Sequence, residues 1–161
     1  MRNIKIIIEY DGTGYHGWQR QPNGITIQEV LENKLAMITN GKVRLIGSGR
    51  TDAGVHAVGQ VANFKTETKI ECRDLLRGIN SLLPTDIAVS NVMDVDDEFH
   101  ARYSAKSKVY DYKIYNSSVK SPLYRNYSWH VFGELDVESM RKVSSYLIGT
   151  RDFSSFCAAG S

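Results

Sequence analysis

The sequence predicts an α+β protein, and three observations carry that prediction. Apolar residues switch repeatedly between a period of two and a period near 3.6. Over roughly the first hundred residues the segments so marked run β-α-β-β-α-β, each bounded by cap or turn residues. The composition, 42% hydrophobic, 24% charged and 10% aromatic over 161 residues, suits a chain that buries a core.

Each element follows from local pattern. Ile4, Ile6, Ile8 and Tyr10 alternate, a strand ending at Asp11-Gly12. Thr26-Ile27-Gln28-Glu29 is a capping box opening a helix with the stripe Ile27, Val30, Leu31, Leu35 and Ile38, closed by Asn40-Gly41. Val43, Leu45 and Ser48 predict a second strand, and Val58 to Phe64 a third. Cys72, Leu75, Leu76, Ile79 and Leu83 fit a second helix stopped by Pro84, and Ile87, Val89 and Val92 a fourth strand. This order is the split βαβ, or ferredoxin-like, arrangement. Beyond it the pattern predicts a strand over Val109 to Tyr115, another near Trp129 to Phe132, and a helix from about Asp136 to Ile148. That helix takes Asp136 as N-cap and Gly149 as C′ residue. The expected domains are residues 1–104, a ferredoxin-like unit, and residues 105–161, the incomplete beginning of a second, similar α/β unit.

Composition also excludes. No apolar run approaches the roughly 18 residues of a membrane span. The N-terminus carries no apolar signal core, so a cytoplasmic address is expected. Cys72 and Cys157 make no disulfide framework, and no Cys/His cluster has zinc spacing. The net charge of +2 hides an uneven spread. Residues 101–130 hold six basic residues against Asp111, a net +5, with six of the nine tyrosines and Trp129. Basic residues interleaved with aromatics suit an unstacked nucleic acid, and they equally suit a half-buried strand with a solvated lysine face.

Two glycine-rich segments stand out. Gly12-Thr13-Gly14-Tyr15-His16-Gly17 spells G-x-G-x-x-G after a strand, but Gly17 leads into Trp18-Gln19-Arg20-Gln21-Pro22, not into a helix N-terminus able to hold a pyrophosphate. A glycine turn for close packing is the better reading. Gly47-Ser48-Gly49-Arg50-Thr51-Asp52-Ala53-Gly54-Val55-His56 links two strands, and nine of the thirteen glycines fall between Gly12 and Gly59. Asp52 there is either a plain turn former or a lone carboxylate held close to a sugar. Arg50 and Asp52 can form a weak local ion pair. Asp52 and His56 supply two metal ligands at most, with nothing to complete a site, and Gly47-Ser48-Gly49 is no nucleophile elbow.

The segment from Gly49 to Ala57, followed by Val58-Gly59-Gln60-Val61-Ala62-Asn63-Phe64, resembles the catalytic signature of the TruA family of tRNA pseudouridine synthases. Glu9-Tyr10-Asp11-Gly12 with Gly17-Trp18-Gln19-Arg20-Gln21, Asn80-Ser81-Leu82-Leu83-Pro84, Phe99-His100-Ala101-Arg102-Tyr103, Lys108-Val109-Tyr110-Asp111-Tyr112 and Asp152-Phe153-Ser154-Ser155-Phe156 resemble further landmarks in the same order. The resemblance implies isomerisation of uridine to pseudouridine in the tRNA anticodon stem-loop, without cofactor or metal. Asp52 falls on the catalytic aspartate, attacking the ribose carbon or taking a sugar proton to give a glycal. Tyr110 falls on the tyrosine that packs against the target base, although strand alternation allows it as core. Arg50 falls on the arginine that holds the flipped nucleotide out. His56 is read as loop packing. The resemblance also implies a homodimer binding tRNA. It further implies an arginine, from the later part of the second domain, that pairs with the aspartate. The chain ends before that part, so it is expected to carry the aspartate yet to be inactive alone. The competing class is a non-catalytic RNA-binding module on the same sheet.

Overall fold

Alternation of buried Ile4, Ile6, Ile8 and Tyr10 with more open residues builds β1 (Arg2–Tyr10), the strand around which the first part of the chain assembles. The computed structural model describes residues 1–157, in two units that divide between Val109 and Tyr110. In the first unit, β1 lies between β3 (Ala57–Thr66) and β4 (Ile87–Val95), and β3 also pairs with the two-residue β2 (Ile46–Gly47). The sheet order is β2-β3-β1-β4, with every neighbouring pair antiparallel. Two helices, α1 (Ile27–Thr39) and α2 (Cys72–Leu82), join the same core as β1: Ile27, Leu31, Leu35, Leu75 and Ile79 pack with Ile4, Ile6, Ile8 and Phe64. Burying each such side chain contributes about 1.5–3 kcal/mol relative to leaving it exposed.

The helix signals act as the sequence indicates. The Thr26 hydroxyl accepts from the Glu29 amide at 3.3 Å, and Asn40, at φ 50°, ends α1 in the left-handed conformation. A second feature of α1 has no counterpart in its apolar stripe. Gln28 and Glu32, one turn apart, are buried and hydrogen-bonded, Gln28 Nε2 donating to Glu32 Oε1 at 2.9 Å. Glu32 Oε1 accepts from the Leu45 amide at 2.9 Å, and Gln28 Nε2 donates to the Leu45 carbonyl at 3.1 Å. Helix side chains thus take both backbone groups of Leu45. This is why the expected strand over Val43, Leu45 and Ser48 reduces to Ile46–Gly47. Arg20 lies 3.5 Å from both Glu29 and Glu32. Glu32→Ala strands the buried Leu45 amide without its acceptor and takes from Gln28 Nε2 one of its two, leaving the Leu45 carbonyl. It is expected to lower unfolding free energy by about 1–3 kcal/mol. Glu32→Gln should lose less, since it keeps an acceptor; urea denaturation of the two variants measures the difference.

At the other end of β1, Arg2 donates to both oxygens of Asp94 at 2.8 and 2.9 Å, and the Cys72 thiol donates to Asp94 Oδ2 at 3.2 Å. The Arg2 hydrogen bonds hold the Asp94 carboxyl below its usual range, helped by that of Cys72, while burial and then the bond to Asp94 push the Cys72 thiol up. A depressed carboxylate stabilises the fold above the ordinary Asp range, and that contribution fades as pH falls through the folded value. A raised thiol acts in the opposite window, its contribution fading as pH rises past the ordinary Cys range. Thiolate is the reacting form, so Cys72 should label about tenfold or more slowly than exposed Cys157 with a disulfide reagent at mildly alkaline pH. Equal rates in the folded chain would contradict this, and denaturant should abolish the difference.

The second unit pairs β5 (Ile114–Asn116) in parallel with β6 (Trp129–Val131) and follows with α3 (Val137–Ser145). The molecule is therefore of the α+β class, with an antiparallel and a small parallel sheet. Two further boundaries, both in the second unit, differ from the sequence pattern by several residues. The strand expected from Val109 begins only at Ile114, where its partner β6 supplies hydrogen bonds, so Tyr110 and Tyr112 lie outside any strand and are 63% and 90% exposed. The helix expected to reach Ile148 ends at Ser145, so Gly149, at φ 96°, is not its C′ residue. Ser144 and Ser145 donate their hydroxyls to the carbonyls of Arg141 and Lys142, and the following amides fall back to i−3 bonding, which unwinds the last turn. Asp136 does cap α3, accepting from the Ser139 amide at 2.9 Å.

Candidate active site

The loop from β2 to β3, residues 48–56, lies against the turn that follows β1. Trp18 donates its amide to the Thr51 carbonyl at 3.0 Å, the Tyr10 hydroxyl lies 2.8 Å from the Thr51 hydroxyl, and Gly54 donates its amide to the Tyr15 carbonyl at 3.3 Å. At the far end of the loop the Gly12 amide donates to His56 Nδ1 at 3.1 Å. Two glycines make this approach possible. A methyl group on Gly12 would overlap the Val55 carbonyl, and one on Gly17, at φ 79°, would lie 2.5 Å from the Thr51 carbonyl oxygen. The register of β1 with β3 shifts between Ile8 and Tyr10, an irregularity that aims the start of β3 at this turn. Gly12–Gly14 forms one short 3-10 turn and α1 begins only at Ile27, so the segment serves packing and does not present a helix N-terminus to a phosphate.

Within that frame Arg50 and Asp52 are both exposed. Among the described residues neither side chain has a hydrogen bond or ion pair, and no Arg50–Asp52 pair forms. The Asp52 backbone is fixed, since its carbonyl accepts from the Val55 amide at 3.2 Å. A carboxylate on a tethered backbone, free of partners, is available to a ligand. His56 points to another task, with Nδ1 also 3.0 Å from Asp11 Oδ1, so Asp52 and His56 do not converge. Among the described residues no three His, Cys, Asp or Glu side chains gather to hold a metal. Tyr110 is the first residue of the second unit.

Two tyrosines in the frame stay neutral. Burial raises the Tyr10 hydroxyl against the opposing bond from Thr51, and burial, then the 2.7 Å bond to Asp86, raises Tyr15 further.

A family model described as tRNA pseudouridine synthase matches residues 6–104, which contain the whole of this loop and the turn beneath it. The chain belongs to the tRNA pseudouridine synthase family. Its 161 residues are 56% identical to tRNA pseudouridine synthase A of Thermoanaerobacter sp. (strain X514), of which they cover 66%. They are 53% identical, over the same share, to the protein of that name from Caldicellulosiruptor saccharolyticus. Over 159 residues they are 52% identical to that of Geotalea uraniireducens, covering 65% of it. The chain thus spans about two thirds of the length of these relatives.

Several buried residues that hold the sheet and the loop in place carry no local signal. Trp18, 2% exposed, lies under the loop, and a side chain at Gly47 would strike its indole. Asn63 is buried inside β3, donating to Asn3 Oδ1 at 2.9 Å and accepting from the Ala101 amide at 2.9 Å, so it ties the segment after β4 to the sheet. In sequence it is a polar residue in a strand pattern. The Gly12–His56 bond joins residues 44 apart, and nothing in either motif announces the other.

Proposed function

We propose that the protein isomerises uridine to pseudouridine in the anticodon stem-loop of tRNA, with Asp52 acting at the ribose. The observation that carries this reading is the Asp52 side chain, exposed and unpartnered among the described residues on a loop tied through the backbone at Thr51 and Gly54 and through the His56 ring. In the reaction the N1–C1′ bond breaks, the base turns, and C5 bonds to C1′. The C5 proton leaves and N1 is protonated, so atoms balance without oxidant or cofactor. Asp52 supports this either as nucleophile at C1′ or as the base that removes a sugar proton to give a glycal.

Arg50, two residues from Asp52 and without an acidic partner among the described residues, is suited to hold the flipped nucleotide out, offsetting an unstacking cost of a few kcal/mol. Tyr110, open to solvent, is suited to stack on the target base. The basic and aromatic stretch from Arg102 to His130 favours RNA as partner. With about four phosphate contacts, tRNA affinity should fall with salt at a log–log slope near −3 to −4. A slope near zero would remove RNA contact from the account.

The strand order and antiparallel pairing of the first unit support a ferredoxin-like N-terminal domain, over residues 1–104, with a second α/β domain beginning at about residue 105. Action on tRNA would place the protein in the cytoplasm. Among the described residues no helix is long and apolar enough to cross a membrane. Family resemblance favours a homodimer, which sedimentation across a concentration series tests. The reaction itself is tested by tritium release from C5-labelled uridine in tRNA, using the complete reading frame. Release matched by pseudouridine formation supports the proposal; tRNA binding by a folded protein with no release would make it an RNA-binding module.

A further inference from the structure

We propose that His56 is a positioning residue for the Asp52 loop, acting through Nδ1 as the acceptor that holds the Gly12 amide. The proposal rests on Asp52 being the catalytic group. Its ground is a competition for one nitrogen. Gly12 N lies 3.1 Å and Asp11 Oδ1 3.0 Å from the same Nδ1. A ring nitrogen offers either a lone pair or a proton, never both. The Gly12 amide only donates, so the state that closes this seam has Nδ1 bare and the ring proton on Nε2. A proton on Nδ1 would direct the ring to Asp11 and release Gly12.

Asp11 is itself held in place. Its Oδ1 accepts from the Thr13 amide at 2.9 Å and the Thr13 hydroxyl at 2.6 Å, and its own amide donates to the Asp86 carbonyl at 2.9 Å. The imidazole therefore meets a rigid surface made by the end of β1 and the turn after it. From His56 the chain returns to Asp52 through a single turn closed by the Val55 amide and the Asp52 carbonyl. Thr51 anchors one side of Asp52 and His56 the other; between these anchors the longer Gly54–Tyr15 bond, at 3.3 Å, also ties the loop to the turn after β1. Loss of the His56 anchor leaves the half of the loop that follows Asp52 held by the Gly54–Tyr15 bond and, beyond it, by the pairing of Ala57 with Tyr10 at the start of β3.

The geometry separates this role from simple space-filling. Asparagine places Oδ1 at the same number of bonds from Cα as Nδ1, so His56→Asn can still accept from Gly12. Glutamine reaches one atom farther and mimics Nε2, and phenylalanine fills the space without an acceptor. In the complete reading frame, His56→Phe and His56→Gln are expected to lower kcat by about tenfold or more, with KM for tRNA within about threefold. His56→Asn is expected to recover most of that loss. Independently of activity, hydrogen exchange at the Gly12 amide should quicken about tenfold in the Phe and Gln variants and not in the Asn variant.

Equal kcat in the Asn and Gln variants, or unchanged Gly12 exchange in both Phe and Gln, would overturn the proposal. Should the Phe variant fail to fold, the Asn–Gln comparison decides alone. The exchange readout also separates the two readings: if Asp52→Asn remains active, the assignment of Asp52 falls, while Gly12 exchange still judges His56.

Discussion

Replacing Asp52 by asparagine is expected to lower kcat for pseudouridine formation by about a thousandfold or more, while tRNA affinity stays within about threefold. The expectation follows from what the side chain touches. Among the described residues the Asp52 carboxylate has no partner, so an isosteric amide breaks no bond that the fold uses. Stability should hold within about 0.5 kcal/mol, as for other exposed positions free of special contacts. Neither chemical role survives the change, since an amide is a poor nucleophile toward C1′ and a poor base toward a sugar proton. Binding is expected to hold or to tighten slightly, because the substitution removes a negative charge from a surface that meets phosphates. The separation matters as much as the size. Loss of kcat together with loss of stability would mean that Asp52 is a turn former, the plainer reading its glycine-rich surroundings also allow.

The second large effect is expected at Gly12. A methyl group there would overlap the Val55 carbonyl oxygen, a backbone atom that cannot turn aside as a side chain could. The seam must open instead, and Gly12 N–His56 Nδ1, Gly54 N–Tyr15 O and Trp18 N–Thr51 O all cross it. Gly12→Ala should therefore cost about 1–3 kcal/mol of unfolding free energy. It should also lower kcat by about a hundredfold, the usual consequence of displacing a catalytic group by about 1 Å. Gly14 is the control, two residues on in the same G-x-G-x-x-G run. A methyl group there meets nothing within 4 Å, so Gly14→Ala should fall within about 0.5 kcal/mol of the parent in stability and match its activity. Comparable loss in both variants would refute the steric argument, since the run would then matter for something other than this approach.

These two positions also show what the sequence could and could not reveal. The Asp52 loop was visible because small residues crowd around one carboxylate over a short stretch, and such local density is readable. Why Gly12 must be glycine was not, because its neighbour Val55 is 43 residues away and only the antiparallel pairing of β1 with β3 brings them together. The same division runs through the fold. Thr26 and Asn40 mark the ends of α1 by chemistry within one turn, so both are legible. The second strand is shorter than its apolar pattern because Glu32 and Gln28 occupy the backbone of Leu45, and no periodicity encodes that competition. Alternation from Val109 to Tyr115 is strand-like, yet a strand is made by its neighbour, and β6 pairs only with Ile114–Asn116. Tyr110 therefore stands exposed where alternation offered it a place in a core.

The roles proposed for Arg50, Asp52 and His56 meet in one distance. A crystal structure of the complete protein with an anticodon stem-loop measures it directly. The account predicts a uridine turned out of its stack, with the Asp52 carboxylate within about 3.5 Å of C1′ or of the neighbouring sugar carbon, as a reacting pair requires. A uridine bound with its ribose against any other carboxylate, or Asp52 facing solvent with the substrate in place, would contradict it.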